Sequence, residues 1–398
     1  MVEWKKLEEV FELRNGYTPS KNHPEFWEGG TIPWFRMEDI RQNGHILDDS
    51  IQHITPESIK KSGLFPANTI IVATTATIGE HALVIVDSLA NQRFTALIIR
   101  KSLTQSVLPR FAYYCCFRLD NWCKNHIHQG GFASVDMEGF KKFPFPIPSL
   151  SEQTRIVGIL DTFTAAIENL KEQIAQRRKQ YEWYLDKAYF SSKLELINAL
   201  NRGLIQVKTL DDVGSFTRGR RFVRTDIVSD GIPCIHYGDM YTYYGVWTEK
   251  TPTYLTKEKS EKLRFAKYGD VIIVGAGEND IDIGVGVAWL GKENVVVHDA
   301  CYIFEHNMNA KYLSYFMRSN NYHQQIRMGV VDGKICSISA KELGRTLIPV
   351  PSLSEQSRIV SILDTFEASI QNLEAQLKER EKQYEYYRNK LLTFEKAE

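Results

Sequence analysis

Three short stretches carry residue types whose spacing could do chemistry. The densest is "RGRRFVR", which places Arg218, Arg220, Arg221 and Arg224 in one run with no acid before Asp226. Guanidinium groups at that density can hold phosphates, or set one fork on guanine O6 and N7. The plainer reading is a solvated loop. "GVGVAWLGKE" contains the G-x-x-x-x-G-K spacing of a phosphate loop, from Gly286 to Lys292. Glu293, however, stands where Ser or Thr must reach magnesium, and the interior reads as a strand. "CKNHIH" groups Cys123, His126 and His128, yet no second ligand pair follows at zinc spacing. "VGAGEND" lacks the strand–GxGxxG–helix setting of a dinucleotide site. The sequence therefore offers groups that bind and no assembled group that reacts.

The elements that must position these residues follow from a repeat. "PSLSEQ" occurs at Pro148–Gln153 and again at Pro351–Gln356, 203 positions apart. The 42 residues from Pro146 and the 42 from Pro349 are identical at roughly two-thirds of positions. The duplication reaches further back. Glu3–Gly16 aligns without a gap to Gln206–Gly219, Ile32–Ile40 matches Ile232–Met240, and Ser134 matches Ser337. The plan is A–B–A′–B′, with B nearly constant and A held only at its framework.

Segment A reads as mixed α/β structure. "NTIIVATTA", "ALVIVD", "DVIIVGA" and "ENVVVHDA" are rich in β-branched residues and bounded by Gly, Asn or Asp, which predicts strands. "LPRFAYYCCFRLDNWCKNH" and "NAKYLSYFMRSNNYHQQIR" have helical spacing of aromatics. Segment B reads as helix. Ser149 with Glu152, and Ser352 with Glu355, have the capping-box spacing. From Phe163 the apolar positions Ile167, Leu170 and Ile174 alternate four and three, through Arg177 to Tyr181 and Tyr184. Phe366, Ile370, Leu373, Leu377, Arg380, Tyr384, Tyr387 and Leu391 repeat the stripe. These tyrosines fall at seam positions, which favours core packing over base stacking. A fresh cap at Asp161 or Asp364 would break either helix. A helix of about 40 residues spans roughly 60 Å, and its exposed seam needs a partner that the second copy supplies. The expectation is an antiparallel two-helix coiled coil separating two pseudo-two-fold related α/β (α+β) domains. The boundaries expected are 1–147 and 204–350 for the domains, with 148–203 and 351–398 for the helical regions.

Composition bounds the rest. The 398 residues suffice for two or more domains, and no apolar run approaches the ~20 residues of a membrane span. Six scattered cysteines without a CxxC point to free thiols in a reducing, cytoplasmic setting. With 49 basic and 49 acidic residues, net charge does not advertise nucleic-acid binding, so any such binding must rest on local patches.

Two domains on a rigid spacer suit a ligand with a dyadic backbone and a non-dyadic sequence, which describes duplex DNA. Here the chain resembles a known family. The plan A–B–A′–B′, the openings "PSLSEQTRIVGILD" and "PSLSEQSRIVSILD", the stretch "RNGYTPSKNHPEFWEGGTIPWFRMEDI", and "ATIGEHAL" followed by "NQRF" resemble the specificity subunit of type I restriction–modification enzymes. The second domain departs, with "TRGRRFVRTD" in place of the G-x-TPS loop and "GENDIDIG" in place of "TTATIG". The resemblance implies a non-catalytic subunit that binds double-stranded DNA at a bipartite, asymmetric target. It also implies helical segments that dock two adenine methyltransferase subunits, with two ATP-driven restriction subunits able to join. S-adenosylmethionine, ATP and magnesium would sit on those partners, with no cofactor in this chain. Consistent with that, no Asn/Asp-Pro-Pro-Tyr/Phe run occurs.

The candidate DNA contacts are then Arg218, Arg220, Arg221 and Arg224, with Arg14, Asn15, Tyr17, Thr18, Ser20 and Lys21 on the matched loop of the first domain. Arg36 and His236 occupy matching positions after Ile-Pro, where a framework role competes. Lys334, in "GVVDGKICS", could reach a phosphate or sit in an ordinary turn, and "QGGFAS" (Gln129–Ser134) is the comparable glycine-rich loop. The rival hypothesis, prompted by zero net charge, is a structural adaptor whose coiled coil carries two protein-binding domains.

Overall fold

The computed structural model describes residues 2–128, 133–203, 205–278, 280–331 and 333–395. The chain divides into two units, Met1–Asn169 with Gln376–Glu398, and Leu170–Ala375. In the first, β1 (Phe11–Asn15), β2 (Ile32–Phe35), β3 (Ile46–Leu47), β4 (His53–Ile54), β5 (Thr69–Ala73), β6 (His81–Val84), β7 (Leu89–Ala90) and β8 (Phe94–Ile99) precede α1 (Pro109–Asn125) and α2 (Leu150–Tyr189). One sheet has the order β1-β8-β5-β6-β3 and a smaller one the order β4-β2-β7. β5 is buried along its whole length. A strand covered on both faces reads as a continuous apolar run rather than an alternating one, which is what "TIIVA" is. Its Ile70 and Val72 join the core shared with α1 and α2, while Ile71 and Ala73 join the core under the small sheet.

The second unit repeats this. β9 (Gly214–Arg218), β10 (Ile232–Ile235), β11 (Trp247–Thr248), β12 (Thr253–Leu255), β13 (Val271–Val274), β14 (Gly286–Trp289), β15 (Val295–Val297) and β16 (Cys301–His306) form a sheet β9-β16-β13-β14-β11 and a second sheet whose centre is β12-β10-β15. The phosphate-loop spacing thus falls on strand β14. The predicted single helix from Asn309 is two, α3 (Ala310–Phe316) and α4 (Asn320–Ile326). Met317 is the C-cap of the first, and Ser319 caps the second, its side chain accepting from the Tyr322 N–H. The six cysteines are all buried and none is in a disulfide, Cys123 among them. No helix among the described residues is long and apolar enough to cross a membrane.

The last long helix is α5 (Leu353–Leu391). Within each unit it runs antiparallel to α2. In the first unit Phe163 stacks on Tyr387 at 5.4 Å, with the Arg380 guanidinium 5.8 Å above the Phe163 ring. In the second, Tyr184 meets Phe366 at 5.9 Å and Arg177 lies 5.8 Å above Phe366. The seam arginines cover aromatic faces with their charge left in water.

The break that a cap at Asp161 or Asp364 would make does not occur, because both carboxylates have other work. Asp161 Oδ1 accepts from Arg110 Nε at 2.9 Å and Tyr114 OH at 2.5 Å. Asp364 accepts from Lys311 Nζ and Tyr315 OH, both at 2.8 Å. The repeated hexapeptide has a related purpose. Buried Gln153 accepts the Leu108 N–H at 2.9 Å and donates to Ser106 O and Pro148 O. Gln356 accepts the Asn309 N–H at 2.9 Å and donates to Pro351 O. Leu108 and Asn309 are the N-cap residues of α1 and α3. In each unit one glutamine thus ties the start of a long helix to the start of a shorter one, satisfying a backbone donor at the cap.

Candidate nucleic-acid interface

Three segments meet in each unit: the loop after β1 or β9, the residue after β2 or β10, and the turn after β7 or β15. In the first unit Gly16 N donates to Phe94 O at 2.9 Å, Tyr17 N to Ala90 O at 2.9 Å, and Asn91 N to Phe35 O at 3.0 Å. In the second, Gly219 N donates to Cys301 O at 2.9 Å, Arg220 N to Val297 O at 3.0 Å, and His298 N to Ile235 O at 3.2 Å. Both crossings need glycine. A Cβ on Gly16 would lie 2.2 Å from Asn91 O, and one on Gly219 2.2 Å from His298 O. Asp39 and Asp239 complete the frames, accepting the N–H of Arg36 at 2.6 Å and of His236 at 3.2 Å.

Onto these frames the predicted residues fall in two groups. The first group braces the loops. Arg14 donates to Leu64 O at 3.1 Å, to Gly63 O at 2.8 Å and to Ser62 O, with Phe65 beneath its guanidinium. Tyr17 OH donates to Ser58 O and accepts from Lys60 N. Thr18 donates to Gln92 Oε1, and Asn15 Oδ1 accepts from Thr95. The Ser20 carbonyl accepts from Trp27 Nε1. Arg36 lies over Trp34 and 3.9 Å from Glu38. In the second unit Arg218 donates to Asp299 O at 2.7 Å, and Arg220 to Lys262 O at 2.7 Å. The second group is Lys21, Arg221, Arg224 and Lys334, all exposed and, among the described residues, without a side-chain hydrogen bond or ion pair. Of "QGGFAS", residues 129–132 lie outside the described residues.

His236 is mostly buried, its ring 4.7 Å from that of His298, with Phe222 against both. Burial pushes both histidines below their ordinary range, and His298 lowers His236 further. Burial thus favours the neutral form of both rings. His298 Nδ1 accepts the Ala300 N–H at 3.1 Å, which holds the turn.

Several neighbours escaped the sequence reading. Lys60, Lys61, Lys262 and Arg264 line the loops that Arg14 and Arg220 reach, and Arg264 itself donates to Arg218 O. Gln92, Arg93 and Asp299 occupy the turn. The contacts of this turn with the first loop cross 74 residues of sequence for Thr18–Gln92 and 81 for Arg218–Asp299.

Two α+β domains, each resting on an antiparallel helix pair and each presenting a basic loop frame, define a class. The model of the type I restriction modification DNA specificity domain matches residues 1–177 and again 204–381. The chain belongs to that family. Among relatives, the EcoprrI specificity subunit of Escherichia coli is 49% identical over 197 residues, 47% of this chain and 49% of that one. The EcoR124I/EcoR124II specificity subunit of the same species is 34% identical over 209 residues, half of each chain. These alignments span about half the length of either relative. In fold, the type I restriction–modification S subunit from M. genitalium superposes with a TM-score of 0.55 at 16% identity, over 100% of this chain and 97% of that one. A chain from a structural study of type I R-M complex assembly and conformational transition gives 0.60 at 16% identity, over 98% and 96%.

Proposed function

We propose that this chain is the DNA-recognising specificity subunit of a type I restriction–modification assembly. The observation that carries the reading is the duplicated loop frame, identical in main-chain wiring and different in side chains. Each frame takes one half-site, so the target is bipartite and asymmetric. The domains are 1–147 and 204–350, and 148–203 with 351–398 form the spacer that docks two adenine methyltransferase subunits and, where present, two restriction subunits. The chain performs no chemistry itself; S-adenosylmethionine, ATP and magnesium belong to the partners. It works in the cytoplasm, beside the DNA. Lys21, Arg221, Arg224 and Lys334 are the phosphate contacts, since their charges are unspent. Arg14, Tyr17, Arg218 and Arg220 shape the loops that approach the duplex. Zero net charge means the partners supply part of the phosphate attraction.

The test is a genome-wide map of N6-methyladenine in cells expressing this chain with its methyltransferase subunit. A split, asymmetric motif that vanishes on deleting this chain is the expected result. An unmodified genome, or a continuous motif independent of the chain, would replace this reading with the adaptor. Exchanging residues 1–147 for another domain should change one half-site and leave the other.

A further inference from the structure

The frames are superimposable in their bonds, so the places where their side chains differ in chemistry are informative. The turn after β7 carries Gln92 and Arg93, and the turn after β15 carries Asp299 and Ala300 at the same positions relative to the shared bonds. Arg93 is exposed and, among the described residues, has no side-chain hydrogen bond or ion pair. Gln92 is exposed and gives its oxygen to Thr18.

Asp299 is the less expected residue. Its side chain is 37% exposed beside a loop bearing Arg218, Arg220, Arg221 and Arg224. Its carbonyl receives Arg218 Nε, which ties the residue to that loop. His298 Nδ1 lies 3.2 Å from the carboxylate, but that nitrogen accepts the Ala300 N–H and so brings no proton. A full negative charge on a face that meets phosphates repels them. Such a charge becomes an asset where it accepts a hydrogen bond from a base, and the exocyclic amino groups of cytosine and adenine are the major-groove donors. Arginine, by contrast, matches the two acceptors of guanine.

Building on the recognition reading, we infer that these turns are base-reading positions, with Arg93 directed at guanine in one half-site and Asp299 at an exocyclic amino group in the other. The experiment uses the complex of full chain and methyltransferase, with Arg93→Ala and Asp299→Asn made separately. Methylation maps are paired with competition by oligonucleotides in which each base pair of one half-site is replaced in turn. A wild-type complex that yields no split motif fails the recognition reading itself, before the variants matter. Given a split motif, each variant should lose roughly tenfold or more of its discrimination at one position of one half-site, and none in the other. Unchanged discrimination at every position overturns the inference. So does uniform weakening at all positions, which would make the residue a brace. If methylation in cells is lost outright, the competition series on purified complex still separates these outcomes.

Discussion

The loop after β1 and the loop after β9 are pinned by the same two main-chain bonds, yet the braces beneath them differ. In the first unit one arginine, Arg14, spans three successive carbonyls from Ser62 to Leu64. In the second the load is divided, with Arg220 reaching Lys262 O and Arg264 reaching back to Arg218 O. Duplication preserved where the backbone goes and released what the side chains do. The difference teaches that backbone ties, rather than particular side chains, set the shape of the interface.

That contrast can be tested at several depths. The deepest is the packing common to both units. Leu160 and Leu363 are equivalent and fully buried, so Leu160→Ala and Leu363→Ala should each cost about 2–5 kcal/mol by denaturant unfolding. A much smaller cost for one would show that the units do not share a core design.

Acid should separate the units next. His306 is largely buried, its Nε2 without a partner, and burial pushes its pKa down to about 4. The first unit has Ile99 at the matching strand position, each residue standing opposite the first residue of β1 or β9. A histidine whose folded pKa lies below the unfolded value of about 6.5 binds its proton better unfolded, so stability present above that pH is lost as pH falls toward 4. The loss should be of order 3 kcal/mol at most, and confined to the second unit. Hydrogen exchange from pH 7 to 4.5 would show it, and His306→Ile should flatten the slope.

The glutamine ties come third. Gln153 and Gln356 are buried, and the first makes three hydrogen bonds and the second two. Replacement by Ala should cost about 1–3 kcal/mol in each case, the larger value at Gln153. Equal losses would mean that the cap donor alone matters. Smallest is the brace comparison. Arg14→Ala should lower stability by about 1–2 kcal/mol, and Arg220→Ala, exposed with one carbonyl contact, by under about 1 kcal/mol. Thermal melts of the two variants side by side are sufficient.

Much of this architecture was legible in the sequence, and the reasons are local. A doubly covered strand must be a β-branched run, and a spacer helix must carry a seam. The duplication then supplied the partner for that seam. What was missed depended on distance along the chain. Arg14 looked like a free cation because the carbonyls that take it lie about 50 residues away. Asp161 and Asp364 looked like helix caps because the basic and tyrosine partners that recruit them sit on α1 and α3. The pause at Ser319 was hidden because the aromatic spacing continues through it. In the interface the cationic loops announced themselves, while the turn at Gln92 and Asp299 did not. A reading position needs few charges and takes its place from a frame assembled elsewhere.

The glutamine tie has one further consequence. Gln153 and Gln356 are neutral, buried and indifferent to ionic strength, whereas contacts between exposed cations and phosphates weaken steeply as salt rises. The joint that sets each domain on its helix and the surface proposed to grip the duplex therefore answer to different variables. A rise in potassium would loosen the proposed hold on DNA and leave each domain seated on its helix as before.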